Sequence, residues 1–190
     1  MKPSILLAAL AALFASTLAH AADDAALIAE TKKTALEIPP KLLKMVQEEI
    51  DKGGFHGAMA ACSEKAPKMA AAASEKTGWA IRRVSLKNRN PKATPDAWEK
   101  TALEEFDRRQ VAGENVASME KAEIITDGDK RTLRYMKALP VQQACLACHG
   151  STEKMTLEVK AKLGELYPKD MATGYSEGQI RGALTVKRAL

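Results

Sequence analysis

Aromatic side chains are scarce: Phe, Trp and Tyr make up 4% of the 190 residues. Cysteine and histidine are also sparse, three of each, which leaves little from which to build a four-ligand Cys/His zinc site. The net charge is +5, but the basic residues are scattered among acids and form no stripe that would track a nucleic acid. There is no internal repeat, and no low-complexity tract beyond an alanine-rich helix. After the first 21 residues no hydrophobic run reaches the length a membrane crossing needs.

The N-terminus reads as an export signal. Met1-Lys2-Pro3-Ser4 is a short basic start, Ile5 to Ala19 is apolar and rich in Leu and Ala, and Ala19-His20-Ala21 is an A-x-A cleavage site. The expectation is a signal peptide over 1–21 and a single periplasmic domain over 22–190, a length that suits one core.

The strongest pattern in the chain is Cys145-Leu146-Ala147-Cys148-His149-Gly150. C-x-x-C-H is the attachment signature of a c-type haem. Two cysteines three positions apart on one helical turn can both reach the edge of a flat porphyrin. Their thiols add to its vinyl groups as thioethers, and the following His149 offers an imidazole nitrogen to the iron. C-x-x-C alone would also suit a dithiol redox pair or half a zinc site. The added histidine, the late position after a hairpin and the export signal favour haem. A chain short of aromatics gains much from a macrocycle in its core.

Hydrophobic spacing predicts a helix from Asp23 to Asp51, interrupted at Pro39-Pro40 and ended by Gly53-Gly54. A second helix follows over Phe55 to Lys76, bent at Pro67, one turn past Cys62. Trp79 to Lys87 reads as a strand. Thr94 is the expected N-cap of the next helix, with Pro95 in its first turn and Trp98, Leu103 and Phe106 on its buried face. Ala122 to Thr126 and Arg131 to Leu139 form a hairpin joined through Gly128. Leu157 to Leu166 is a short helix, and Ala183 to Val186 a last strand. Strands close in sequence, with helices segregated around them, argue an α+β fold with an antiparallel sheet.

One thiol is left over. With Cys145 and Cys148 holding haem, Cys62 is unpaired in an oxidising compartment, where a free thiol needs burial, pairing or ligation. Iron ligation would explain it, and the small residues Gly57, Ala58, Ala60 and Ala61 would let a helix approach a macrocycle. The residues alone leave His56 and Met45, Met59, Met69, Met119, Met136, Met155 and Met171 open as alternatives, although a Met in an Ala-rich helix is usually core filler. Arg82, Arg83, Arg89 and Arg181 are candidates for neutralising the propionates.

The chain resembles the exported PAS-like mono-haem c domain family. The likeness rests on Ala61-Cys62 through Ala66-Pro67, Ser85 through Pro91, Pro95-Asp96-Ala97-Trp98-Glu99, the haem motif, Tyr167 through Tyr175 and Gly178 through Gly182. The sequence departs from the family's pattern at Gln179, where an acid is usual. The resemblance implies a PAS-like fold, a central antiparallel sheet flanked by helices, with one covalently bound haem c. It also implies iron held by His149 on one side and the Cys62 thiolate on the other.

The family association is with redox or small-ligand sensing. The expected function is therefore a redox or gas sensor or binding module, with CO and NO as possible ligands and a separate redox or signalling protein as partner, since no transmitter segment follows. The alternative is a periplasmic electron-transfer cytochrome c. An enzyme is not expected, because no distal His-Arg pair for peroxide chemistry is present.

Overall fold

The computed structural model describes residues 22–190. The segment read as an export signal, 1–21, lies outside them. Helix α1 (22–36) is followed at once by α2 (Ile38–Ala60), a wide π-turn (Ala61–Lys65) and α3 (Ala66–Thr77). The break expected at Pro39-Pro40 falls instead at Glu37, and the prolines sit in the first turn of α2. Proline lacks only an N–H that the first turn leaves unbonded, so it starts a helix more readily than it stops one. Gly53 and Gly54 leave helical geometry, Gly54 with φ of 59°, so α2 is two helical segments that meet at the expected Gly53-Gly54 break.

Pro67 has its effect one turn upstream. It cannot donate to the Ser63 carbonyl and crowds it. The chain winds wider over Ala61–Lys65 just before, and Cys62 lies in that turn. Gly78 closes α3 in the left-handed region, φ 72°. The Ser74 hydroxyl then accepts from the Ile81 amide at 3.0 Å, fixing α3 against the first strand.

That strand is β1 (Ala80–Val84), shorter than expected. Next come α4 (Ala97–Val111), β2 (Glu120–Asp127), β3 (Lys130–Pro140), the one-turn α5 (Leu146–His149), α6 (Leu157–Leu166) and β4 (Ile180–Ala189). The sheet is antiparallel throughout, in the order β1-β4-β3-β2. The hairpin turns through Gly128, φ 58°. The α4 cap is Asp96, not Thr94. Its carboxylate accepts from the Glu99 amide while Glu99 reaches back to the Asp96 amide, a capping box. Thr94 instead ends a short turn over Pro91–Ala93.

The two faces of the sheet carry separate cores. On one, Ala102, Leu103 and Phe106 of α4 pack on Val84, Met119, Met136, Ala138 and Ala183. Phe106 and Met136 are fully buried, each contributing about 1.5–3 kcal/mol. On the other face α1 and α3 cover Ile81, Leu133, Tyr135, Leu184 and Val186. The α4 side also holds a buried ion cluster: Glu99 meets Arg82 at 2.5 Å and Arg134 at 3.3 Å. No helix among the described residues is long and apolar enough to cross a membrane.

One irregularity positions the site. Ile180 pairs with Pro140 and Gly182 with Leu139, so Arg181 is the extra residue of a β-bulge. Bulges re-aim a side chain, and this one turns Arg181 toward the Cys145–His149 segment. Gly182 is required: a Cβ there would lie 2.3 Å from the Val84 carbonyl oxygen, and its φ is 147°.

Candidate functional site

The Cys-x-x-Cys-His segment follows β3 directly. Cys145 closes a short turn, and α5 carries Cys148 and His149. Gly150 folds back so that its amide donates to the Leu146 carbonyl at 2.8 Å. A Cβ at Gly150 would sit 2.6 Å from that oxygen, so glycine follows the histidine for steric reasons. A second segment is laced to this one: the Gly174 amide donates to Gly150 at 2.8 Å and the Tyr175 amide to His149 at 2.9 Å.

His149 is half-buried and oriented. Its Nδ1 lies 2.7 Å from the Ala172 carbonyl, which assigns the proton to Nδ1 and leaves a lone pair on Nε2. Arg181 Nε donates to that nitrogen at 3.4 Å. Burial, and then the charges of Arg181 and Arg89, push the imidazole down to about 2, so it is neutral at any physiological pH. A neutral imidazole with one nitrogen anchored to a carbonyl is the form that ligates a metal.

The three cysteines are free thiols. Cys145 packs beside Val141, Ala172 and Tyr175. Cys148 packs beside Met59, Met155, Val159 and Leu163. Cys62, far upstream, acts electrostatically on both. By surface area Cys62 is exposed, yet desolvation is the largest influence on it. The two agree if the thiol lines a cleft, open to a water-sized sphere and walled by protein. That crowding pushes the Cys62 thiol up, against the pull of Arg83, Arg89 and Arg181. Burial likewise raises Cys148.

Three of the four arginines reach this cleft. Arg89 pairs with Asp170 at 2.9 Å and donates to the Cys148 carbonyl at 2.5 Å. Arg181 donates to Ser85 Oγ and to the Lys87 carbonyl, both at 3.2 Å. Burial, then Arg83, bring its guanidinium down to about 10. Arg83 acts on Cys62, His149 and Arg181. Arg82 does not belong to the site: it lies on the opposite sheet face with Glu99. Strand alternation separates neighbours in this way.

Of the methionines, Met119 and Met136 belong to the α4-side core, Met171 is exposed, and Met59 and Met155 pack against Cys148. His56 lies in α2, and its side chain is not among those described. Sequence reasoning missed the Ala172 carbonyl and the Arg89–Asp170 clamp, since both depend on contacts between distant loops.

These residues fit a covalently attached haem. Two thiols stand at the required spacing, an oriented imidazole presents an Nε2 lone pair met by the long 3.4 Å contact from Arg181, a third thiol lies within electrostatic reach of Cys148, and cations are at hand for propionates. Among the described residues no group of three or more His, Cys, Asp or Glu is placed to hold a bare metal ion.

Fold and cleft together define an α+β protein whose antiparallel sheet supports a cleft lined by thiols, an imidazole and guanidiniums. The chain belongs to the Tll0287-like family, whose sequence model matches residues 15–188. Among solved structures it is similar to the cyanobacterial heme-protein Tll0287, at 26% identity and a TM-score of 0.62, over 84% of this chain and 93% of that one. No curated protein matches the chain.

Proposed function

We propose that this chain is a periplasmic c-type haem protein that senses redox state or a small gas ligand. Cys145 and Cys148 are the thioether attachment points, His149 is one axial ligand and Cys62 the other. Residues 22–190 act as one exported domain, and the four-stranded sheet with its helices is read as PAS-like. The observation that carries the proposal is the Cys145–His149 turn, whose imidazole is anchored at Nδ1 to the Ala172 carbonyl, with Cys62 within electrostatic reach of Cys148. The heme-protein description of the similar cyanobacterial structure supports it.

A haem so held supplies a one-electron Fe(III)/Fe(II) couple and a site for diatomic ligands. The protein's own groups set how that couple behaves. The Ala172 carbonyl accepts from Nδ1–H and makes His149 a better donor through Nε2. An anionic Cys62 thiolate favours the ferric state, so the midpoint potential is low. The crowding that raises the Cys62 pKa favours the protonated thiol once the sulfur is free, which opposes its return. Cys62 would be the side chain that switches, and a bound haem would supply the position for CO or NO. Binding rather than turnover is the reading, because His149 and Cys62 would both hold the iron. A separate redox or signalling protein receives the output.

The alternative is an electron-transfer cytochrome c with the same ligands. The fate of Cys62 separates the two. Ferric and ferrous optical and electron-resonance spectra of the exported protein, with and without CO, test it. The sensor reading requires a thiolate signature in the ferric state and CO binding to the ferrous state. Six-coordination that persists through reduction, with no CO adduct, favours the carrier. A purified protein without added porphyrin mass ends both.

A further inference from the structure

Cations outnumber anions in the cleft. Arg83, Arg89 and Arg181 all act on His149 and on Cys62. Asp170 is the carboxylate that acts on Arg181 and Cys148, and it is paired with Arg89. Among the strongest influences on these groups, three guanidiniums stand against one carboxylate, so positive charge prevails there, and a low dielectric magnifies it.

Two of the three guanidiniums are engaged. Arg89 is one-tenth exposed and is held by Asp170, the Cys148 carbonyl and the Ala172 carbonyl. Arg181 is held by Ser85, the Lys87 carbonyl and His149. Arg83 is half-buried and has no hydrogen-bond or ion-pair partner among the described residues. Its position in β1 is fixed by pairing with Leu184 of β4. Arg82 turns to the α4 face to meet Glu99, so Arg83 turns to the other face, toward the helices that carry Cys62. A guanidinium is a planar fork suited to a carboxylate, and a half-buried one without a counter-ion is costly.

We propose that Arg83 binds a carboxylate, and specifically a haem propionate, while Arg89 positions the attachment loop instead of holding the cofactor. This rests on the haem reading above. It divides the arginines by role: Arg83 for the propionate, Arg89 for the loop, Arg82 for the opposite face.

The test uses the exported holoprotein and its Arg83→Gln and Arg83→Lys variants, with haem attachment checked by mass. The propionate bending band in the resonance Raman spectrum shifts in Arg83→Gln. The midpoint potential moves to more negative values, because a cation that favours Fe(II) is gone. Arg83→Lys keeps the potential near wild type but still shifts the band, since an ammonium lacks the planar fork; if the Gln variant is not exported, this band alone decides. An unchanged band in both variants overturns the proposal and leaves the haem reading intact. A free anion could use the same fork. If the wild-type potential tracks acetate concentration at fixed ionic strength and Arg83→Gln loses that dependence, Arg83 holds a solution anion and the propionate assignment is overturned. A wild-type protein without haem mass refutes the underlying reading instead.

Discussion

His149 and Ala172 are joined through a side-chain nitrogen and a backbone carbonyl 2.7 Å apart. The histidine is thereby aimed by a loop that is distant in sequence. Asp170 holds that loop, accepting from the Ala172 amide at 2.8 Å while pairing with Arg89. Arg89 and Asp170 have side chains only 10% and 12% exposed. Asp170→Ala leaves a buried guanidinium without its partner and should destabilise the fold by about 3–5 kcal/mol. Chemical denaturation measures it; a loss below about 1 kcal/mol would mean that water replaces the carboxylate.

Gly182 and Gly178 make a matched pair of substitutions. Both have positive φ, 147° and 81°. An added Cβ at Gly182 meets the Val84 carbonyl, whereas one at Gly178 meets nothing within 4 Å. Gly178→Ala should cost about 1 kcal/mol, from backbone conformation alone. Gly182→Ala should cost about 1–3 kcal/mol more through overpacking, and should disturb Arg181 on the bulge. Thermal melts of the two variants give the ordering, and equal losses would contradict it.

Asp96 links the α4 cap to the buried ion cluster through Arg134 at 2.8 Å. Asp96→Ala should destabilise by about 0.5–2 kcal/mol through the lost cap. Burial alone would raise this carboxyl, but the Glu99 amide and Arg134 outweigh it and hold the group below its ordinary 3.8. For a carboxyl lowered on folding, the added stability is complete above the unfolded value and fades as pH falls through the folded one. Wild type should therefore lose stability below about pH 4 more steeply than Asp96→Ala. Parallel acid-denaturation slopes would show that Asp96 contributes nothing to the pH dependence.

The cysteines should separate by variant. Cys62→Ser should keep the added haem mass and lose the thiolate signature of the ferric electron-resonance spectrum. Cys145→Ala should reduce attachment to one thioether, seen as a shift of the pyridine haemochrome band. An unaltered electron-resonance spectrum in Cys62→Ser would move attention to Met59, which packs against Cys148.

The proposed attachment segment, Cys145–His149, stands out in the sequence because the chemistry read into it fixes residue types and spacing within a single helical turn. The hairpin is readable because Gly128 supplies the positive φ of its turn. The α4 cap misleads because Thr94 and Asp96 flank Pro95, and only the reciprocal Asp96–Glu99 pairing decides between them. Strand β4 runs longer than its apolar centre because pairing with β3 carries it from Ile180 past Lys187 and Arg188 to Ala189. The bulge at Arg181 is a register offset between two strands, which no single segment encodes. Which of Arg82 and Arg83 faces the cleft depends on the side of the sheet that α4 covers, so parity along β1 alone does not answer it.

The wide turn at Ala61–Lys65 is an α-helix with one surplus residue wound into it. A relative one residue shorter there could keep an unbroken helix and still swing the sulfur out of the cleft. In this architecture the sixth donor to a metal would be chosen by chain length as much as by the type of amino acid, so a deletion could change the chemistry without touching the cysteine.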